Sequence, residues 1–173
     1  MLVEKIGSAP PQNWQEICGP IQPFLDEVSE QLEQGINSFD PQIVNFVQYA
    51  LGSRGKQLRP GLVALSARAA GGINAEHVNA AVIIEMVHLA TLVHDDVVDG
   101  AEVRRNRPTL AANWGNKVSV LAGDCLFAEA LRLAAMLPTN EVCELVSHSA
   151  KVVCTGEIRQ TLQRGNFQMS RDE

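Results

Sequence analysis

Residues 74–100 read NAEHVNAAVIIEMVHLATLVHDDVVDG. Asn74 is a helix-capping residue and Gly100 a helix-ending one, and no proline or further glycine lies between them. Residues 78–93 form the most apolar window of the chain, interrupted by Glu85 and His88. A helix this apolar around its circumference belongs at the centre of a bundle rather than on its surface. Three carboxylates, Asp95, Asp96 and Asp99, close it. On a helical wheel Asp99 and Asp96 fall about 40° and about 100° from Asp95, so the spacing predicts one shared acidic face. Negative charge at a helix C-terminus opposes the macrodipole and is unfavourable without a cation. Two readings stand: a solvated acidic face, or an oxygen-donor site for a hard cation such as Mg²⁺. An EF-hand is excluded, because its alternating ligand spacing is absent.

Outward from this stretch the pattern stays helical. Leu25, Val28, Leu32 and Ile36 recur at three- and four-residue steps and predict an amphipathic helix over 24–36. Asp40 followed by Pro41 is an N-cap with proline at the first helical position, opening a helix that ends near Gly52. Residues 52–59 read as a basic loop, and Pro60 opens a helix that Gly71-Gly72 closes after Ala70. Residues 101–115 read as a polar loop carrying Arg104, Arg105, Arg107 and Pro108. Helices over about 116–136 and from Thr139 to about Arg164 complete the chain, after an irregular, proline-rich start. No segment alternates strictly, so the expectation is an all-α bundle of six or more helices.

Composition bounds the function. With 173 residues, 46% hydrophobic and 20% charged, the chain is one globular domain's worth of sequence rather than a disordered one. A net charge of −6 argues against nonspecific nucleic-acid binding. No apolar run approaches the ~18 residues of a membrane span, and residues 1–11 lack the features of a signal peptide. The cytoplasm is therefore the expected location. Cys18, Cys125, Cys143 and Cys154 have no C-x-x-C spacing and are expected as reduced thiols, three of them buried in apolar helical patterns. Four histidines without ligand spacing give no zinc site.

Two basic clusters complement the acidic one. Gly55-Lys56-Gln57-Leu58-Arg59-Pro60, with Arg54 beside it, lacks the spacing and the Ser or Thr of a P-loop. It reads either as a surface basic loop or as an anion site in which Lys56 and Arg59 grip phosphate at a helix start. Arg104-Arg105 follow the acidic helix and offer guanidinium groups that match phosphate geometry. His88 lies about 20° from Asp95 on the wheel, two turns deeper, as either a core histidine or a phosphate-binding one. His94, about 100° from Asp95, reads as structural, and His77 and His148 carry no signal.

Gly55-Lys56-x-x-Arg59-Pro60, Glu85-x-x-His88, Asp95-Asp96-x-x-Asp99 and Arg104-Arg105, in this order, resemble the trans-polyprenyl diphosphate synthases. The resemblance continues through Leu121-Ala122-Gly123-Asp124 and Gly156-Glu157-x-x-Gln160. It implies the all-α isoprenoid synthase bundle and a prenyltransferase that elongates an allylic prenyl diphosphate with isopentenyl diphosphate. By the same resemblance Lys56, Arg59, His88 and Arg105 would bind isopentenyl diphosphate. Asp95 and Asp99 would ligate Mg²⁺ with Asp96 supporting them, and Arg104 would hold the allylic diphosphate. The catalytic set would thus be Asp95, Asp96, Asp99 and Arg104, in an enzyme that is usually a homodimer.

In the family, residues four and five before the first aspartate help to floor the tail pocket. Here they are Thr91 and Ala90, both small, which implies a long-chain synthase of the octaprenyl or solanesyl kind. Family chains are about twice this long and carry a second aspartate-rich motif and a Lys-Thr pair. The expectation is that residues 1–173 are the N-terminal portion of a single synthase domain, inactive alone. A class I terpene cyclase shares the aspartate motif, but it has no isopentenyl diphosphate to occupy the basic clusters. A noncatalytic diphosphate-binding subunit of a heteromeric synthase is the remaining alternative.

Overall fold

The computed structural model describes residues 14–52 and 55–166. Helix α1 (Trp14–Cys18) passes through a 3-10 turn (Gly19–Ile21) into α2 (Gln22–Asn37), and α3 (Pro41–Leu51) follows. Then come α4 (Leu58–Ala69), α5 (Ala75–Val98), a hairpin of β1 (Val103–Arg104) and β2 (Arg107–Pro108), α6 (Leu110–Trp114), α7 (Asn116–Ala135) and α8 (Glu141–Leu162). The fold is all-α, as expected. The short α1, the hairpin and α6 lie where the sequence reads as irregular chain or loop.

Helix α5 is the axis of the molecule. It packs against α2, α3, α4, α6 and most extensively α7. Its start is held by a capping box: the Asn74 side chain accepts from the His77 N–H at 3.2 Å, and His77 Nδ1 accepts from the Asn74 N–H at 3.1 Å. Its end turns at Gly100 (φ +63°). There the Gly100 N–H donates to Val97 O at 3.3 Å and the Ala101 N–H to Asp96 O at 2.9 Å, which satisfies the last carbonyls. The acidic residues are thereby held in the final turn.

Two apolar clusters grip this axis. Phe24, Leu25, Val28 and Leu32 of α2 meet Val78, Val82, Ile83 and Met86 of α5 and Ala130 and Ala134 of α7. Below the acidic end, Val47 and Leu51 of α3 meet Leu89, Ala90 and Val93 of α5 and Ala122 and Leu126 of α7. Ile83 and Leu126 are fully buried, and truncating either to alanine costs about 2–5 kcal/mol. Helix α8 buries no residue; Leu145, Val152, Val153, Ile158 and Leu162 are exposed along it. Among the described residues no helix is long and apolar enough to cross a membrane.

Candidate active site

The acidic residues do not share one face. Asp95 and Asp99 are exposed in the last turn of α5, whereas Asp96 is buried. A rotation of about 100° turns Asp96 away from solvent, and its Oδ1 accepts from Arg104 Nε at 2.7 Å. Desolvation raises the pKa of the Asp95 carboxyl; the Asp99 charge adds to the rise, and Arg104 opposes it. Two like charges one turn apart are what a bound cation would relieve. Among the described residues, no three His, Cys, Asp or Glu side chains are arranged to hold a metal ion by themselves. Mg²⁺ commonly takes one or two carboxylates and completes its shell with phosphate oxygens and water. The donor set of Asp95 and Asp99 therefore fits Mg²⁺ shared with a phosphate-bearing ligand.

Arg104 and Arg105 are presented by the hairpin. Its strands pair antiparallel, Val103 with Pro108 and Arg104 with Arg107. This leaves Arg105 and Asn106 as a two-residue turn, both left-handed, at φ +50° and +60°. Thr109 ties the hairpin base to α5 and α6: its hydroxyl donates to Ala101 O at 2.7 Å and accepts from the Ala112 N–H at 3.1 Å.

The basic loop comes to meet this turn. A Cβ on Gly55 would stand 2.8 Å from Arg105 Nη2 and 2.9 Å from Nη1, so the missing side chain is what admits the guanidinium. The loop itself is fastened. The Trp14 indole N–H donates to Lys56 O at 2.7 Å, and Gln57, left-handed at φ +49°, donates from Nε2 to Ser29 Oγ at 2.7 Å. Lys56 and Arg59 are exposed beside the N-terminus of α4, where the helix dipole favours an anion. Arg54 lies outside the described residues.

His88 registers this convergence of charge. Burial, followed by the positive charges of Arg59, Arg105 and Arg104, lowers its pKa from 6.5 to about 4. The half-buried imidazole is therefore neutral at pH 7, able to donate one hydrogen bond without competing for cations. His88 and Arg59 border a cavity of about 550 Å³ between α5, α7 and α8, with Ala90, Thr91, Val87 and Phe127 among its apolar walls. Asp124 and His94 also border it.

His94 packs against α7: Nε2 lies 3.1 Å from Val120 O and 3.4 Å from Asp124 Oδ1. A Cβ on Gly123 would overlap its ring. His77, silent in the sequence reading, is the α5 cap. The cysteines depart from expectation. All four are free, but only Cys18 is buried, and burial raises its thiol pKa; Cys125 and Cys143 are half-buried and Cys154 is exposed. Helix α8 carries Cys154 but buries none of its residues against the described chain, so its apolar pattern did not translate into burial. Trp14, Ser29, Gln57 and Tyr49, which position the basic loop and hairpin, had no local sequence signal.

The all-α bundle thus sets two exposed carboxylates at the end of its central helix, with Arg59 and His88 of the basic side bordering an apolar cavity. The polyprenyl synthetase family model matches residues 40–173, and the chain belongs to this family. It is 36% identical over 146 residues to the octaprenyl diphosphate synthase of Escherichia coli K12, covering 80% of this chain and 45% of that protein. It is 37% identical over 144 residues to heptaprenyl diphosphate synthase component 2 of Geobacillus stearothermophilus, covering 83% of this chain and 45% of that protein. A solved decaprenyl diphosphate synthase from Rhodobacter capsulatus superposes with a TM-score of 0.85 at 33% identity, over 91% of this chain and 49% of that one. The chain thus spans about half the length of the curated relatives it matches.

Proposed function

We propose that the chain belongs to a Mg²⁺-dependent prenyltransferase that condenses isopentenyl diphosphate with an allylic diphosphate, making a long-chain all-trans polyprenyl diphosphate. The observation that carries this reading is the charge around His88. Arg59, Arg104 and Arg105, from two distant segments, all act on one imidazole bordering an apolar cavity. Such a site suits a ligand with an anionic head and a hydrocarbon tail.

Lys56, Arg59, His88 and Arg105 hold the isopentenyl diphosphate head group. Asp95 and Asp99 supply carboxylate oxygens to Mg²⁺, which, when bound, neutralises charge on the allylic diphosphate. Arg104, fixed by Asp96, donates its remaining N–H groups to the diphosphate as negative charge develops on it during carbon–oxygen scission. The isopentenyl double bond then attacks the allylic carbon, and proton loss completes the addition. No protein nucleophile is required. Ala90 and Thr91 leave the tail pocket open beneath the head groups, which supports a long product.

We further propose a cytoplasmic homodimer. Given the coverage of its relatives, the 173-residue chain alone binds diphosphate substrates without completing turnover. A noncatalytic subunit of a heteromeric synthase is the second reading; its heteromeric part is supported by two relatives named heptaprenyl diphosphate synthase component 2.

Titration calorimetry of the chain with isopentenyl diphosphate, and with farnesyl diphosphate plus Mg²⁺, tests the site. Binding of both, with the farnesyl diphosphate affinity dependent on Mg²⁺ and lost in Asp95→Ala, is the expected result. Failure to bind either ligand overturns the reading. Elongation of farnesyl diphosphate by a full-length form, followed by mass spectrometry, separates the enzyme from the noncatalytic subunit.

A further inference from the structure

The hairpin that carries Arg104 and Arg105 is held from outside. Its strands are two residues each, too short for their own ladder to hold a fixed orientation. Its turn demands left-handed backbone at both central positions, which glycine, asparagine and aspartate tolerate and arginine does not. Arg105 adopts it nonetheless, at φ +50°. A strained turn on a short ladder persists only where surrounding contacts over-determine it.

Those contacts centre on Tyr49 of α3. Its hydroxyl donates to Pro108 O at 2.7 Å, and the Arg107 guanidinium carbon stands 4.5 Å from its ring centroid. Arg107 Nη1 lies 2.8 Å from where a Gly52 Cβ would stand, so Arg107 rests on Gly52 much as Arg105 rests on Gly55. Trp114 of α6 braces the Tyr49 ring edge-on at 4.9 Å. The space left between hairpin, α3 and α5 is about 30 Å³, room for roughly one water. Arg104 is anchored on Asp96, and Arg105, in the turn that follows Arg104, is carried with the hairpin.

We propose that Tyr49 and Arg107 are positioning residues for diphosphate recognition, seating the hairpin on α3 so that Arg105 is delivered against Gly55. The inference rests on the reading of Arg105 as a diphosphate-binding group. Losing one seating contact lowers the fraction of hairpins in the competent position, and apparent affinity falls by that fraction.

Calorimetric titration of the chain with isopentenyl diphosphate tests this with four variants. Arg105→Ala weakens binding at least tenfold. Tyr49→Phe, which keeps the ring, and Arg107→Ala each weaken it about three- to tenfold, the worth of one hydrogen bond or cation–π contact. Arg107→Lys, which keeps a cation over the Tyr49 ring, regains most of the Arg107→Ala loss. If Arg105→Ala weakens binding while Tyr49→Phe and Arg107→Ala bind like the parent, the positioning role is overturned and the site reading stands. Arg107→Lys binding no better than Arg107→Ala also overturns the positioning role. If the parent chain does not bind, or Arg105→Ala binds unchanged, the site reading itself fails.

Discussion

Arg104 Nε donates to the buried Asp96 carboxylate at 2.7 Å, joining the hairpin to the acidic end of α5. The middle aspartate of the string therefore faces protein, and its neighbours Asp95 and Asp99 face solvent. One motif thus does two physical jobs: two residues offer oxygens outward, and one fixes a cation beside them.

Asp96→Ala removes the partner of a half-exposed guanidinium and empties a buried position. It is expected to destabilise the chain by about 1–3 kcal/mol in urea unfolding, with Asp96→Asn costing less because it retains an acceptor. Equal stability of the three proteins would show that the ion pair contributes nothing.

Asp95→Asn is expected to stabilise the metal-free chain at pH 7. The Asp95 pKa is raised in the fold, so its contribution is present at low pH and is lost as pH rises through the raised value. Removing that charge raises the melting temperature without Mg²⁺ while abolishing Mg²⁺-dependent farnesyl diphosphate binding. Thermal scans with and without Mg²⁺ and ligand make the comparison.

His88 gives the opposite sign. Its pKa falls from 6.5 to about 4 on folding, so its stabilising contribution is full above pH 6.5 and is lost as pH drops toward 4. NMR titration of the ring is expected to give a midpoint near 4, and His88→Gln to flatten stability between pH 4 and 6.5. A midpoint near 6.5 would mean that neither burial nor the arginines act on the ring as the fold places them.

Gly55→Ala and Gly123→Ala separate two kinds of close approach. The Gly55 methyl meets the mobile end of Arg105, so stability changes little and isopentenyl diphosphate binding weakens. The Gly123 methyl meets the His94 ring between two packed helices and is expected to cost about 1–3 kcal/mol. Unfolding curves and calorimetry on the two variants read the contrast.

Thr91→Phe puts an aromatic ring into the cavity one turn below Asp95. In a full-length form it is expected to shorten the polyprenyl product, with isopentenyl diphosphate affinity unchanged. Chromatography of the dephosphorylated products measures this, and an unaltered product distribution would remove Thr91 from the chain-length pocket.

Helix ends with a local chemical signature were legible in the sequence. Asp40-Pro41, Asn74 and Gly100 stand at the boundaries they announce, and Asp40 accepts from the Gln42 N–H at 2.8 Å. Features set by distant partners were not. The hairpin turn is one, because Arg105 disfavours the left-handed backbone it adopts and the Tyr49 hydroxyl that bonds the hairpin comes from α3. The wheel placed Asp96 near Asp95 but could not see Arg104 waiting on the other side. His77 was missed because a capping box is read from glutamate or glutamine, and here an imidazole nitrogen substitutes.

Trp14 stands well before residue 40, where the family match begins, yet its indole holds the Lys56 carbonyl and its ring covers Gly61. Ser29 likewise holds Gln57. A domain boundary drawn at residue 40 would delete both tethers together with the α2 side of the core. The matched segment therefore leaves part of its scaffold outside it, and any excision or fusion should respect the leading helices as part of the basic loop's support.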